Sequence, residues 1–187
     1  WELEWGTLHA ICFERHLYEP LLYVKKQGGV HVAPVALEEG ERKFVLRLRD
    51  RCTRGGGVLD GNELYLLRNQ SRGRGVGFFE AGNFYPDFIM WLVVNDHQYV
   101  TFIDPKGIRN LEGEHDSKIE FRHTVKGIER RVADPALTLN SCILSGTRPD
   151  ELPHWLRPPV DPHDLHIFSH HEPDYIERVL AVAMKTE

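Results

Sequence analysis

Two apolar runs joined by a short polar turn form the clearest pattern in this chain. Residues 88–94 read Phe-Ile-Met-Trp-Leu-Val-Val and residues 99–103 read Tyr-Val-Thr-Phe-Ile, with an Asn-Asp-His-Gln segment between them. A run that is apolar at nearly every position is typical of a strand buried on both faces, and a polar turn between two such runs indicates an antiparallel pair. The pattern therefore predicts a hairpin of two central strands.

Charged side chains stand at the open end of this predicted hairpin. Asp87 precedes the first run, and the triplet 104–106, Asp-Pro-Lys, follows the second. Two carboxylates that are brought together repel each other unless a cation lies between them, and hard oxygen ligands suit Mg²⁺ or Mn²⁺. A lysine in the same cluster could hold an attacking water or stabilise the charge of a phosphorane. These residue types point to metal-dependent phosphodiester cleavage, and the alternative is a plain turn residue beside a surface ion pair.

The length of the turn decides whether these side chains meet. A two-residue turn at 95–96 would place Asp87 opposite Asp104, whereas a two-residue turn one position later, or a four-residue turn, would place it opposite Lys106. Opposed residues share a sheet face, and so do residues two apart on one strand, so either register brings the three side chains together. A three-residue turn would put Asp87 on the other face.

Hydrophobic spacing elsewhere predicts a mixture of helices and strands. Two sets of apolar residues have the spacing of one helical face: Trp1, Trp5, Leu8 and Cys12, and then Phe121, Val125, Ile128 and Val132. The other predicted elements are strands at about 30–36, 43–50, 63–69, 137–144 and 166–169 and a helix at about 173–184. Five prolines between about 145 and 165 predict an irregular connection. The fold class that follows is α/β (α+β).

Two stretches of the sequence resemble a known family. Residues 77–88, Gly-Phe-Phe-Glu-Ala-Gly-Asn-Phe-Tyr-Pro-Asp-Phe, and residues 101–107, Thr-Phe-Ile-Asp-Pro-Lys-Gly, are similar to the PD-(D/E)xK restriction-endonuclease-like superfamily. More narrowly, they resemble the C-terminal nuclease domain of type III restriction (Res)-like DEAD/DEAH-box helicases. Weaker likeness extends through 13–22, 64–69, 166–168 and 174–176. The resemblance implies a restriction-endonuclease-like core, a mixed central sheet flanked by helices, formed in the order helix, strands, helix, strand.

The resemblance also implies roles for the residues at the hairpin end. Asp87, Asp104 and the Pro105 carbonyl would hold Mg²⁺, for which Mn²⁺ could substitute, and Lys106 would position the attacking water. Asp104 stands where many members of the family carry Glu, and the metal chemistry accepts either carboxylate. The implied activity is that of an endodeoxyribonuclease in restriction or anti-phage defence.

A further acid is usual on the first helix of the family. Glu14 is the expected residue, because it begins the Phe13-Glu14 motif and would lie one helical turn from Tyr18, and an exposed helix glutamate is the alternative. Glu80 is a competitor that an uninterrupted strand would place on the opposite face from Asp87, although a bulge at 82–83 would reset the alternation.

The charge distribution gives candidate DNA contacts. A net charge of −5 argues against a free-standing nucleic-acid binder, but residues 42–74 hold nine Lys/Arg against three Asp/Glu. Interspersed glycines would allow close approach to phosphates, and solvated arginines in flexible loops are an equal alternative. The candidates are Arg68, Arg72 and Arg74, together with Arg122 and Lys126 on the predicted second helix, where a solvated face is the alternative.

The setting of the domain is also an expectation. The sequence has neither a G-x-x-x-x-G-K-[ST] loop nor a D-E-x-[DH] box, and it begins at Trp1 rather than Met. We therefore expect a single domain, 1–187, excised from the C-terminus of a longer helicase-nuclease, with DNA, the parent helicase/ATPase region and other subunits of a defence complex as partners. Three scattered cysteines and no long apolar run indicate a cytoplasmic protein without a membrane segment. The alternative function is a catalytically weak or silent nuclease-fold module that docks DNA or the helicase.

Overall fold

The computed structural model of the chain describes residues 2–5, 8–11, 13–17, 21–24, 36–70, 75–78, 84–105, 108 and 111–186. The strands are β1 (Glu2–Trp5), β2 (Leu8–Ile11), β3 (His16–Leu17), β4 (Leu21–Val24), β5 (Glu63–Arg68), β6 (Phe88–Val94), β7 (His97–Pro105), β8 (Leu137–Ser145) and β9 (Ile167–Ser169). The α-helices are α1 (Glu39–Arg54), α2 (Ser117–Val132) and α3 (Tyr175–Ala183).

A six-stranded mixed sheet in the order β3-β5-β6-β7-β8-β9 forms the centre of the fold. β5, β6 and β7 are antiparallel neighbours, whereas β3 runs parallel to β5, and β7, β8 and β9 are parallel. Phe44 of α1 and Val179 of α3 pack in one apolar cluster with Met90 of β6. Phe121 of α2 packs with Phe102 on the other side of the sheet. The predicted mixed sheet flanked by helices is confirmed.

The predicted hairpin is present, and its register is the first of the two alternatives. Asn95 and Asp96 form the turn with φ angles of 49° and 65°, which is the left-handed geometry of a two-residue type I′ turn that matches the twist of the strands. The ladder runs from the pair Val94 and His97 to the pair Phe88 and Ile103. Asp87 and Asp104 adjoin this last pair, so the same register continued by one step would set them opposite each other.

Two predicted elements are wrong. The first helix, expected from the apolar stripe at Trp1–Cys12 and to end near Pro20, is replaced by β1 and β2, which pair antiparallel with each other, while β2 pairs with β4 in a separate three-stranded sheet. This sheet buries Ile11 and Tyr23 in the cluster that contains α1, so tertiary pairing outweighs the helical spacing of four residues. The strand expected at 43–50 lies inside α1.

The other predicted elements agree with the structure where it describes them. β5, α2, β8, β9 and α3 occupy the predicted positions, and the proline-rich segment between β8 and β9 holds three short 3₁₀ helices at 149–151, 154–156 and 162–165. The strand expected at about 30–36 lies largely outside the described residues. Within the described part of the chain, no helix is both long and apolar enough to cross a membrane.

Candidate functional site

One edge of the central sheet borders a cavity of about 460 Å³. The carboxyl ends of the parallel strands β7, β8 and β9 lie at this edge, and so do the start of β6 and the first turns of α1 and α2. The lining residues that matter below are Glu38, Gly40, Asp104, Pro105, Lys118 and His170. Crevices at the carboxyl ends of parallel strands are the usual ligand-binding positions of such sheets.

Asp104 is the deepest acidic residue of the cavity. It lies two residues after Phe102 on β7 and therefore shares the sheet face that packs against α2. Its side chain is 1% exposed. The Lys118 Nζ from the first turn of α2 lies 3.5 Å from the Asp104 Oδ2. Because a buried carboxylate is costly without a compensating charge, this ion pair supports the buried position of Asp104. Burial raises the pKa of the neighbouring Cys142 thiol, and the Asp104 charge raises that pKa further.

Asp87 lies at the same edge of the sheet, one residue before β6. Its carbonyl oxygen accepts a hydrogen bond of 2.8 Å from the Asn69 backbone N–H, and the Asn69 side chain donates to the Pro86 carbonyl, also at 2.8 Å. These bonds fix the backbone on which Asp87 stands. Asp87 adjoins Phe88 and Asp104 adjoins Ile103, and Phe88 and Ile103 are the last pair of the hairpin ladder, so both predicted carboxylates belong to this end of the sheet.

The Pro105 carbonyl faces the first turn of α1. A Cβ atom built on Gly40 would lie 3.6 Å from this oxygen and 3.7 Å from the His170 Nε2. The carbonyl, the imidazole and the start of α1 therefore meet around one small gap, which the absence of a side chain at Gly40 leaves open. The predicted metal-binding carbonyl is thus part of the cavity wall.

His170 brings an imidazole to this gap. Both of its ring nitrogens are buried and make no hydrogen bond to the described residues, and the ring packs edge-on against Tyr175 with 5.2 Å between centroids. Burial, followed by the charges of Lys43 and His171, lowers the pKa of His170 to about 4. The imidazole is therefore neutral at neutral pH, with one nitrogen that can accept a proton or a hydrogen bond.

Glu14 is not brought to the cavity. It is an exposed turn residue between β2 and β3 rather than a helical residue. β3 lies three strands away from β7 in the sheet order, which at about 4.8 Å between neighbours is roughly 14 Å. The expectation that Glu14 provides an acid from the first helix is wrong about the helix, and the position of β3 disfavours a role at this cavity.

Glu38 is the acid that the first helix brings to the cavity, and the sequence interpretation missed it. It is the N-cap of α1, and its backbone N–H donates to the Glu41 Oε2 at 2.7 Å. Glu41 and the apolar spacing of Phe44, Val45 and Leu48 after it are typical of the start of a helix. That combination would have identified the helix, whereas Glu38 is not one of the residue types, Ser, Thr, Asp and Asn, by which an N-cap is recognised.

Three of the predicted DNA contacts use their charged groups inside the protein. Arg68 donates to Glu41 at 3.1 Å, Arg122 donates to the Ile119 carbonyl at 2.8 Å, and the buried Lys126 donates to Glu129 at 2.9 Å. Lys126 therefore does not belong to an exposed basic stripe, and all three contacts argue against a primary role in phosphate binding. Arg72, Arg74, Glu80 and Lys106 lie outside the described residues.

The donor set suits a hard cation that retains water. Within the described residues, no three side chains of His, Cys, Asp or Glu form a ready-made metal cage. Mg²⁺ commonly takes only one or two carboxylates and keeps several water ligands. Asp104 and Pro105 line the cavity, and Asp87 precedes β6 at the same end of the sheet, so the donor types that Mg²⁺ takes are present there and fit the expected ion.

Comparison of the chain with protein-family models, with curated proteins and with solved structures gives no match. A functional assignment therefore depends on the residues and geometry of this edge.

Proposed function

We propose that this chain is a Mg²⁺-dependent DNA endonuclease domain that hydrolyses phosphodiester bonds. The observation that carries the proposal is the hairpin register, whose last pair is Phe88 and Ile103, the chain neighbours of Asp87 and Asp104, at the end of the sheet where Asp104 lines the cavity. The order of α1, the antiparallel strands β5 to β7, α2 and β8 agrees with the order that the resemblance to the PD-(D/E)xK superfamily implies.

The predicted residues would divide the work of such a reaction. Asp87, Asp104 and the Pro105 carbonyl would hold the ion, and Lys106 would position the attacking water. When bound, Mg²⁺ supplies a Lewis acid for the phosphate and lowers the pKa of a coordinated water. The burial of Asp104 keeps its charge in a poorly hydrated environment, where electrostatic interactions with a phosphate are stronger than in bulk water.

The proposed setting is a helicase-nuclease of restriction or anti-phage defence. The net charge of −5 and the internal contacts of Arg68, Arg122 and Lys126 give the described surface little affinity for DNA of its own. A helicase region that engages DNA would supply the missing affinity. The same observations favour the second candidate, a silent module that docks on the helicase, which has no need of a metal site.

Cleavage of supercoiled plasmid with Mg²⁺, Mn²⁺ or a chelator tests the proposal. We expect metal-dependent cutting that Asp87→Asn and Asp104→Asn each reduce by more than about 100-fold, because even indirect partners of a metal site contribute 10- to 100-fold. Asp96→Asn, in the turn at the other end of the same hairpin, is the matched control and should cut normally. Calorimetric titration with Mg²⁺ separates the two candidates, since unchanged metal binding in Asp104→Asn would exclude the proposed site.

A further inference from the structure

Lys118 is a cation of the cavity that the sequence interpretation did not use. It lies in the first turn of α2, its Nζ is 3.5 Å from the Asp104 Oδ2, and its side chain is 32% exposed while that of Asp104 is 1% exposed. We propose that Lys118 binds a phosphate of the substrate, and that its ion pair with Asp104 keeps the ammonium away from the phosphate until a divalent cation binds Asp104. This inference rests on the proposed function, because it requires a metal at Asp104 and a phosphodiester in the cavity.

Asp104 is the acidic partner of Lys118 in the described structure. Asp116 is close in sequence, but its carboxylate is used to cap α2, where it accepts the Lys118 backbone N–H at 2.9 Å and the Glu112 backbone N–H at 3.1 Å. The Lys118 ammonium makes no other ion pair among the described residues. Its position therefore depends on the charge of Asp104.

A divalent cation at Asp104 would break the ion pair between Lys118 and Asp104. The cation takes the carboxylate as a ligand and repels an ammonium at a distance of a few ångströms. The backbone of Lys118 stays in place, because Asp116 caps the helix and the buried side chains of Ile119 and Phe121 anchor its first turns. The four-carbon side chain can then move into the cavity, where a compact ammonium with three donors suits a phosphate oxygen.

The exchange makes metal binding and phosphate binding support each other. Metal frees the ammonium for the phosphate, and a phosphate that holds the ammonium leaves Asp104 available to the metal. By thermodynamic linkage, each ligand strengthens the binding of the other by the same factor. Lys118 also competes with the metal for Asp104 when DNA is absent, so its removal should affect the two affinities in opposite directions.

Lys118→Met tests this expectation with two equilibrium measurements. Calorimetric titration with Ca²⁺ in the absence of DNA should show binding about 3- to 10-fold tighter than in the wild type, because the competing ammonium is gone. Fluorescence anisotropy with a short DNA duplex in saturating Ca²⁺ should show binding about 10-fold weaker. Lys118→Arg should keep most of the DNA affinity, and Lys185→Met, which removes an exposed cation beyond α3, should change neither quantity.

The outcomes separate this inference from the proposed function. Wild-type metal binding and cleavage that both depend on Asp104, combined with unchanged or uniformly weaker binding in Lys118→Met, would overturn the role of Lys118 alone. A uniform loss is what a merely structural role would give. A wild-type protein that binds neither Ca²⁺ nor Mg²⁺ would overturn the proposed metal site, and the inference with it.

Discussion

The buried imidazole of His170 should make the stability of this protein depend on pH in a way that can be calculated. Its pKa falls from 6.5 to about 4 on folding, chiefly because burial disfavours the charged ring. A shift of one pKa unit corresponds to about 1.4 kcal/mol, so the full difference is about 3 kcal/mol. The unfolded chain binds the proton more readily, and stability is therefore lost as the pH falls from 6.5, with the loss complete below about 4.

His170→Leu removes this titration and keeps an apolar side chain against Tyr175. We would measure urea unfolding by tryptophan fluorescence at pH values between about 7.5 and 4 for the wild type and the variant. The free energy of unfolding of the wild type should fall relative to that of the variant by about 3 kcal/mol over this range. His166, whose pKa burial also lowers, titrates in both proteins and cancels in the difference.

His154→Gln is the matched control, because His154 is exposed in the segment between β8 and β9. Its free energy of unfolding should follow that of the wild type at every pH. A difference between the wild type and His170→Leu that stays constant from pH 7.5 to 4 would refute the reasoning, since it would mean that the imidazole is as well solvated in the folded protein as in the unfolded chain.

Two further predictions concern the first turn of α1 and the turn of the hairpin. Gly40→Ala places a methyl group in ordinary contact with the Pro105 carbonyl and His170. The variant should stabilise the helix by about 0.5–1 kcal/mol, but it should weaken Mg²⁺ binding about 10-fold because the methyl group fills the gap beside the carbonyl. An unchanged Mg²⁺ affinity in calorimetric titration would contradict the assignment of the Pro105 carbonyl as a metal ligand. Asp96→Gly should raise the free energy of unfolding by about 0.5–1 kcal/mol, because φ at this position is 65° and Gly adopts it without strain. An equal gain with Asp96→Ala in urea unfolding would contradict that explanation.

Local patterns were enough to predict the hairpin but left the length of its turn open. In the structure Asn95 and Asp96 adopt the left-handed angles of a two-residue turn, which selects the register with Val94 opposite His97. The segment 43–50 shows where local patterns fail, because Phe44, Leu46 and Leu48 alternate with other residues as in a strand. In α1, however, Val45 is fully buried and Leu46 only partly, and a helical face explains both.

The remaining cavity residues depend on topology. Lys118 reaches Asp104 because α2 connects the parallel neighbours β7 and β8 and begins at their common edge. His170 reaches the same place because β9 extends the parallel arrangement and ends there. Neither residue shares a local motif with Asp104, so only the strand order brings them together.

Buried polar groups in this protein differ in the hydrogen bonds that they make. The difference distinguishes groups that support the fold from groups that are available to a ligand. Glu129 accepts hydrogen bonds from Lys126 at 2.9 Å and from the Leu139 N–H at 2.6 Å, as expected of a network that holds α2 on the sheet. The ring nitrogens of His170, in contrast, are buried and make no hydrogen bond in the described structure.

An apolar residue of similar volume would stabilise this position at least as well as an imidazole without hydrogen bonds. The fold therefore gains no evident stability from placing His170 at the cavity. A ligand that bonds to the imidazole provides a physical reason for its position, because sites that conflict with local packing rules are where function is expected. The proposed metal site predicts in addition that metal should raise the free energy of unfolding of the wild type, and that Asp104→Asn should abolish this gain.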